Sequence, residues 1–221
     1  MNGKLIVIEG ALDGIGKSTQ FDLLKGKYHE MGFDIISHHF PTYDEYQGSL
    51  VMEYLKGSFG KPNELSPYFV NSLYAIDRKI TWETKLRKAY EDGNIVLLDR
   101  YTTSSLIYQS ALIEDGDKKK EFLDYIIDYE YNKLGIKKPD TVIFLYAPFD
   151  FIMELKAKRD LEKGEQIEGD IHENDLEFMK KVYESAIYCA KYLNWIIIDC
   201  VKNDKFKTKE EIHEEICDKI L

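Results

Sequence analysis

The segment from residue 5 to residue 19 constrains the fold more than any other part of the chain. The apolar run Leu5 to Ile8 predicts a short buried strand, and a glycine-rich turn follows it. The turn ends in the letters GKST at residues 16–19, where a helix is predicted to begin. In such a strand, turn and helix, backbone N–H groups at the helix N-terminus can hold a phosphate group. The segment therefore predicts an α/β protein with a phosphate-binding loop (P-loop).

This loop departs from the usual spacing. In the pattern GxxxxGK[ST] the first glycine would be residue 11, but that residue is Ala11 and the glycine is Gly10. Either the loop carries one extra residue between Gly10 and Gly16, or the strand ends one residue later than the pattern expects. The half of the loop that contacts phosphate is intact. We therefore predict that ATP is bound by Asp13, Gly14, Ile15, Gly16, Lys17, Ser18 and Thr19.

An acidic and a basic residue, Asp99 and Arg100, directly follow the apolar run Ile95 to Leu98. The strand beside a P-loop commonly supplies an acidic residue that organises magnesium, so we predict Ser18 and Asp99 as Mg²⁺ ligands. Lys17 is predicted to reach the terminal phosphates of ATP. Arg100 is predicted to offset the charge of a phosphoryl group in transfer. These residues indicate a kinase that uses magnesium and ATP.

Apolar runs of strand length recur along the chain with helical patterns between them. The predicted strands are residues 5–8, 33–40, 95–98, 141–145 and 195–198. Strands that alternate with helices indicate a parallel sheet covered on both faces. The prediction is one α/β domain, residues 1–221, with the three-layer α/β/α architecture of a P-loop kinase and a five-stranded parallel sheet.

Four helices have clear sequence boundaries. The first begins at Lys17 and ends before Gly32, and the third covers residues 119–134. The second begins at Ser66 and Pro67 and carries Phe69, Leu73, Ile76 and Ile80 on one face. The last opens with Thr208 and Glu211, the spacing of a capping box. Residues 156–173 are polar and rich in both charges, and we predict that they form a short lid over the site.

The composition excludes several classes of protein. A net charge of −10 disfavours a general binder of nucleic acid or of anionic membranes, because such binders need clustered Lys and Arg. No apolar run approaches the length of a membrane span, and residues 4–9 lack the apolar core of a secretory signal. The three cysteines show no metal-binding spacing and are expected to be reduced thiols. We therefore expect a cytoplasmic protein.

Further segments occur in a fixed order: FP at 40–41, YD at 43–44, LKGSFG at 55–60, LYAIDR at 73–78, and DRY at 99–101 with Ser104 and Gln109. With the P-loop, these segments make nearly the whole chain resemble the thymidylate kinase family. The resemblance implies a nucleoside-monophosphate kinase that transfers the γ-phosphoryl group of ATP to dTMP, giving dTDP and ADP for dTTP synthesis. It also implies Mg²⁺ as cofactor and a homodimer.

The resemblance further implies a site for the nucleoside of the acceptor. Tyr74 matches the aromatic residue that stacks on the base, and Arg78 matches the arginine that donates to a thymine carbonyl. Ser105 and Gln109 match positions at the polar edge of thymine. Tyr108 matches the aromatic residue that crowds the sugar C2′ and disfavours ribose.

The phosphate side of the acceptor site also follows from the resemblance. Asp13 would bind the 3′-hydroxyl group, Arg100 would bridge the donor and acceptor phosphates, and Phe40 belongs to the same substrate-binding set. Arg159 of the lid, with Lys158 or Lys163, would supply catalytic charge. In one respect the chain departs from the family, because Tyr43 stands where many members have an arginine that binds the acceptor phosphate.

The residues leave alternatives open. A deoxynucleoside kinase would share the P-loop, but its acceptor hydroxyl needs a carboxylate base, and the second predicted strand ends in His38, His39 and Phe40 instead. The altered P-loop and Tyr43 keep open a catalytically impaired nucleotide-binding homologue. A guanine-nucleotide switch is disfavoured because the letters NKLG at 132–135 lack the final aspartate of the guanine-reading motif.

Overall fold

The computed structural model describes residues 3–61, 64–163 and 176–221, the last five residues of the second stretch as backbone only. Five strands form one parallel sheet in the order β2-β3-β1-β4-β5. Their bounds are β1 Lys4–Gly10, β2 Ile35–His39, β3 Ile95–Asp99, β4 Thr141–Tyr146 and β5 Ile196–Asp199. The predicted five-stranded parallel sheet is confirmed.

Helices cover both faces of the sheet. They are α1 Lys17–Glu30, α2 Ser49–Leu55, α3 Pro67–Thr81, α4 Arg87–Glu91, α5 Thr102–Tyr108, α6 Gly116–Ile127, α7 Phe149–Lys163, α8 Leu176–Tyr192 and α9 Lys209–Ile220. Residues alternate between the faces of β1: Ile6 and Ile8 pack in one apolar cluster, and Leu5 and Val7 in another. The sheet therefore has a core on each side, which is the predicted three-layer arrangement.

The predicted end of α1 and the predicted start of α9 are observed, whereas the helix predicted over residues 119–134 begins earlier, at Gly116. At the end of α1, the N–H groups of Gly32 and Phe33 donate to carbonyl oxygens of the last turn, and Gly32 has a positive φ of 80° that suits glycine. At the start of α9, Thr208 and Glu211 form a reciprocal capping box. Each pair of bonds satisfies backbone groups that the helix itself leaves unpaired.

The apolar face predicted for α3 is only partly buried. Leu73 lies in a small cluster with Val51, Tyr54 and Val70, but Phe69 and Ile76 are each 42% exposed. The buried side of α3 instead includes polar residues, among them Asn71, Asp77 and Arg78. The sequence correctly predicts the helix but not the side that faces the protein interior.

Two π-helical segments and a small hairpin were not predicted. The π-helical segments are Trp82–Leu86, between α3 and α4, and Asp128–Lys133, directly after α6. The hairpin pairs Val201–Lys202 (β6) with Lys205–Phe206 (β7). Residues 156–163 of the predicted lid belong to α7, and residues 164–173 lie outside the described residues. Among the residues that the structure describes, no helix combines the length and apolar composition needed to cross a membrane.

Candidate active site

A cavity of about 570 Å³ opens at the carboxyl ends of β1, β2 and β3, where open α/β sheets commonly bind ligands. It brings together most of the residues predicted from the sequence. The predicted residues along its wall are Asp13, Gly14, Gly16, Lys17, Ser18, Thr19, Phe40, Tyr74, Arg78, Asp99, Arg100, Ser105, Tyr108 and Gln109. Ile15 is buried in the apolar core instead, and the Arg159 side chain lies outside the described residues.

The structure supports both explanations of the unusual P-loop spacing, because β1 runs past Ile8 to Gly10 and the two residues after it are buried. Gly10 is the last residue of β1, and a Cβ atom there would lie 2.7 Å from Cγ2 of Ile15, closer than real contacts allow. Ala11 donates its N–H to the carbonyl oxygen of Leu145 at 3.0 Å. Ala11 and Leu12 are both buried, and they join the core cluster. The added length therefore packs inward.

The second half of the loop has the backbone geometry that a phosphate cradle requires. Gly14 and Gly16 have positive φ angles of 92° and 100°, which side-chain-bearing residues rarely adopt. Gly16 is the N-cap of α1, and Lys17 is its first helical residue. Ser18 and Thr19 follow, and both are exposed. The N–H groups at this helix start are suited to an anion.

Asp13 pairs with two cations of the site. Its Oδ1 accepts from Lys17 Nζ at 2.6 Å and also from Nη2 of Arg100. Burial alone would raise the pKa of Asp13, but the charges of Arg100 and Lys17 outweigh it and hold the pKa well below the ordinary range. Asp13 is therefore ionised at neutral pH, and it holds Lys17 and Arg100 side by side.

Arg100 has a backbone conformation that is unusual for a non-glycine residue. Its φ is 65°, in the left-handed region, where the chain turns from β3 toward α5. Its guanidinium group lies 5.5 Å from the ring centroid of Tyr108. Burial opposes its charge, but Asp13 raises its pKa well above the ordinary value. The arginine thus stays charged inside the cleft.

Asp99 presents one oxygen to its neighbours and keeps another unpaired. Its Oδ2 lies 3.1 Å from Nδ1 of His39, whereas its buried Oδ1 has no hydrogen-bond partner among the described residues. Burial opposes the charge of Asp99, yet the hydrogen bond from His39 and the charge of Lys17 lower its pKa. An ionised, unpaired and buried carboxylate oxygen is a suitable ligand for a divalent cation.

At the other end of the cleft, Arg78 is almost completely buried and paired with Glu130. The Nε and Nη2 groups of Arg78 donate to the two Glu130 oxygens at 2.7 Å each, and Nη2 also donates to Ser105 Oγ at 2.8 Å. Burial opposes the charge of Arg78, but Glu130 raises its pKa. The carbon Cζ of Arg78 lies 6.0 Å from the ring centroid of Tyr74. This end therefore presents an aromatic ring beside a fixed cation.

Comparison with known proteins decides the family. The family model described as thymidylate kinase matches residues 8–216. The chain belongs to the thymidylate kinase family. It is 32% identical over 221 residues to a thymidylate kinase of Brachyspira hyodysenteriae (100% of this chain, 93% of that protein). It is 30% identical over 221 residues to one of Thermoanaerobacter sp. strain X514 (99% and 97%).

Solved structures of the thymidylate kinase family share the fold. The thymidylate kinase of Candida albicans superimposes with a TM-score of 0.68 at 24% identity, covering 99% of this chain and 91% of that one. The enzyme of Ehrlichia chaffeensis gives a TM-score of 0.68 at 17% identity and covers all of both chains. The fold thus persists at low sequence identity.

Tyr43, the departure from the family pattern expected from the sequence, lies in the cleft. Tyr43 lines the cavity two residues after the cis peptide bond Phe40–Pro41. Asp77 holds this loop in place, because its Oδ2 accepts the Thr42 N–H at 2.8 Å. Phe40 itself is buried and packs beside Tyr101, with ring centroids 5.6 Å apart. Phe40 thus reaches the cavity from a core position.

Sequence analysis missed the acidic residues that support this family site from behind. Glu9 accepts the hydroxyl groups of Thr103 and Ser104 at 2.9 and 2.6 Å, and Ser104 lies 3.5 Å from Nη1 of Arg100. Glu130 supports Arg78 in the same way. Each is a charged residue in an otherwise apolar pattern, since Glu9 lies in the buried strand β1 and Glu130 lies four residues after the buried Ile126. That pattern was the available signal.

Proposed function

We propose that this chain transfers the γ-phosphoryl group of ATP to dTMP, yielding dTDP and ADP. The observation that carries the proposal is the convergence of Lys17 and Arg100 on Asp13, in the cavity that Arg78 and Gln109 also line. One end of the cleft offers positive charge to two phosphate groups. The other end offers hydrogen-bonding groups to a base.

The reaction needs charge rather than a base. A monophosphate has a second pKa near about 6, so its attacking oxygen is already largely ionised at neutral pH. The obstacle is repulsion between two polyanions, on the order of 4 kcal/mol for one unit pair at about 4 Å in a partly screened site. Lys17 offsets the charge on the ATP side. Arg100, which Asp13 and Ser104 hold in the cleft, bridges the donor and acceptor phosphates.

Recognition of thymine follows from two complementary groups. Arg78 can only donate hydrogen bonds, which suits a carbonyl oxygen of the base. Gln109 is buried, and its Oε1 has no hydrogen-bond partner among the described residues, so it can accept the N3–H of a thymine or uracil ring. Cytosine presents an amino group and a bare ring nitrogen at these places. Tyr74 stacks on the ring, Ser105 borders it, and Tyr108 excludes a 2′-hydroxyl group.

Magnesium is the cofactor in this proposal. The unpaired Oδ1 of Asp99 and the exposed hydroxyl group of Ser18, both in the wall of the cleft, are oxygen ligands of the kind that Mg²⁺ prefers. One carboxylate is enough, because this ion is commonly held by one or two carboxylates together with substrate phosphates. When bound, it neutralises part of the charge on the ATP phosphates.

The lid and the location of the protein complete the proposal. Arg159, in the stretch that we propose closes over the site, would add charge beside the transferred group, and closure would exclude water that could hydrolyse ATP. The free thiols of Cys189, Cys200 and Cys217 suit a reducing cytoplasm, where we propose that the reaction occurs.

We also propose that the chain forms a homodimer through the exposed side of α3. Phe69 and Ile76 lie seven residues apart on one helical face, and Phe69 contacts the exposed Phe59 with ring centroids 6.2 Å apart. Such an apolar surface is typical of protein interfaces. Sedimentation should show a dimer for the parent protein and a monomer for Ile76→Lys. An Ile76→Lys variant that remains dimeric would place the interface elsewhere.

The activity is tested by ADP release from ATP and Mg²⁺ with dTMP, dUMP, dCMP, dAMP, UMP or thymidine, each against a control without acceptor. A strong preference for dTMP is expected. Activity with thymidine alone would reassign the chain to the deoxynucleoside kinases. Binding of ATP without transfer to any acceptor would identify an impaired homologue and implicate the lengthened P-loop.

A further inference from the structure

Glu130 is a fully buried carboxylate whose two oxygens both accept charge-assisted or hydroxyl hydrogen bonds. Oε1 accepts from Arg78 Nη2 at 2.7 Å, and Oε2 accepts from Arg78 Nε at 2.7 Å and from Thr102 Oγ1 at 2.8 Å. The arginine and the carboxylate therefore meet as a two-bonded pair, the arrangement that fixes a guanidinium group most tightly.

The backbone around Glu130 is irregular. Glu130 lies inside the π-helical segment Asp128–Lys133, and such segments occur frequently at functional sites. Before this segment, α6 buries Phe122 and Ile126 at four-residue spacing, so the same face delivers Glu130 to the interior. An apolar residue at this position would continue the core pattern. The chain instead has a charge there, directly opposite a residue of the cleft.

The pairing occupies most of the N–H donors of Arg78. A guanidinium group has five N–H bonds. Three are used by the two Glu130 oxygens and Ser105, and Asn71 Oδ1 at 3.5 Å can only share an N–H of Nη2 with them. A fourth points to the Tyr101 carbonyl oxygen at 3.4 Å from Nη1. Within the described part of the chain, one N–H of Nη1 is left for a ligand in the cleft that Arg78 lines. The group cannot rotate without breaking the Glu130 pair.

We propose that Glu130 is a positioning residue that determines base specificity, because it holds Arg78 with a single fixed donor directed to a pyrimidine 4-carbonyl group. The inference rests on the proposed function, in which Arg78 contacts the base. A fixed donor favours a carbonyl oxygen and rejects an amino group at the same ring position, since two donors cannot pair. Glu130 would thus separate dTMP from dCMP without touching either.

A purely structural role makes a different prediction. A buried ion pair is weak evidence for stability, and its loss would lower the melting temperature while the surviving folded protein kept its substrate preference. A positioning role predicts a change in preference itself. The ratio of kcat/KM for dTMP to kcat/KM for dCMP therefore separates the two roles, because a loss of folded protein cancels from it.

The experiment compares Glu130→Gln with Glu130→Asp. We expect Glu130→Gln to raise the dTMP KM about tenfold, to leave the ATP KM within about twofold, and to lower the dTMP-to-dCMP ratio about tenfold. Glu130→Asp keeps the charge and moves it by one methylene, so a smaller change in the same direction is expected. If Glu130→Gln does not fold, the dTMP-to-dCMP ratio of Glu130→Asp tests the proposal instead.

The matched control is Ser185→Ala, because Ser185 does not line the cleft. This substitution removes a buried 2.7 Å hydrogen bond between the hydroxyl groups of Ser185 and Ser110. It should lower the melting temperature without changing the ratio. An unchanged ratio in folded Glu130 variants would overturn the inference. Arg78→Ala distinguishes this from a failure of the proposed function: if it also leaves the dTMP KM unchanged, Arg78 itself does not contact the base.

Discussion

The carboxylate of Asp13 accepts a hydrogen bond from the ammonium group of Lys17 at 2.6 Å. The same oxygen accepts from Arg100, which enters the cleft from the end of the adjacent strand β3. One anion between two cations holds them close together in a partly buried site. A phosphate group that enters this place meets side chains that are already oriented, so less of its binding energy is needed to order them.

Lys17→Ala should abolish phosphoryl transfer, because no other described side chain at the start of α1 supplies a cation to the ATP phosphates. We expect kcat to fall by about 10³-fold or more, measured by ADP release with dTMP. The control is Lys88→Ala on α4, where the lysine is 86% exposed and pairs with Asp92 at the surface. Normal turnover by folded Lys17→Ala would contradict the assignment of the P-loop.

Asp13→Asn should reduce the loss of unfolding free energy that occurs as the pH falls. The folded-state pKa of Asp13 is held well below its ordinary value of 3.8, so its ionised form stabilises the parent protein above that value. This contribution is lost as the pH falls below about 4 toward the folded-state pKa. Urea unfolding at pH 5, 4 and 3 should show a free-energy difference between parent and variant that shrinks with acid. If the difference stays constant over this range, Lys17 and Arg100 do not lower the pKa of Asp13 as described.

Gln109→Leu should separate stability from function. In the parent protein, Oε1 of Gln109 is a buried acceptor with no partner among the described residues. Such an unsatisfied acceptor destabilises a folded protein by about 1–3 kcal/mol, and the substitution removes it. We therefore expect the free energy of unfolding to rise or stay constant, while the dTMP KM rises because the N3–H of thymine loses its acceptor. Denaturant unfolding and steady-state kinetics on one preparation give both values. A variant with an unchanged dTMP KM would remove Gln109 from the base site.

Tyr108→Ala should relax the exclusion of ribonucleotides. The ring of Tyr108 lies against the Arg100 guanidinium group, and its hydroxyl group is 3.5 Å from Asp13 Oδ2. Removing the ring should lower the preference for dUMP over UMP by about tenfold, the scale of a lost apolar contact in a pocket. Tyr108→Phe keeps the ring and should keep the preference. If the Phe variant loses it equally, the hydroxyl group rather than the ring selects the sugar.

Local sequence patterns predicted the five strands of the sheet and four of the helical segments. All five sheet strands and the capping of α1 and α9 follow from signals within a few residues, such as the apolar run Leu5 to Ile8 and the pair Thr208 and Glu211. The hairpin β6–β7 was missed because strands of two residues are too short to show a period.

Features that depend on distant partners could not be predicted in the same way. Arg78 and Glu130 are 52 residues apart, and neither residue type nor spacing indicates that they meet in the core. The helical period of α3 correctly groups Phe69 with Ile76, but periodicity cannot tell an interior face from an exposed one. In the P-loop, the local sequence was enough to predict the phosphate-binding residues. The burial of Ala11 and Leu12, by contrast, depends on tertiary packing and could not be predicted from the sequence.

The inward packing of the P-loop couples its length to the volume of the core. A Cβ atom at Gly10 would clash with Ile15, and Gly16 is the N-cap of α1, so the added length lies between these two glycines. Deleting Ala11 or Leu12 would shorten the loop and open a void beneath it at the same time. A loop of the common length would therefore require a compensating enlargement elsewhere in the core. A single-codon deletion in this loop should be tolerated only together with a second, space-filling change.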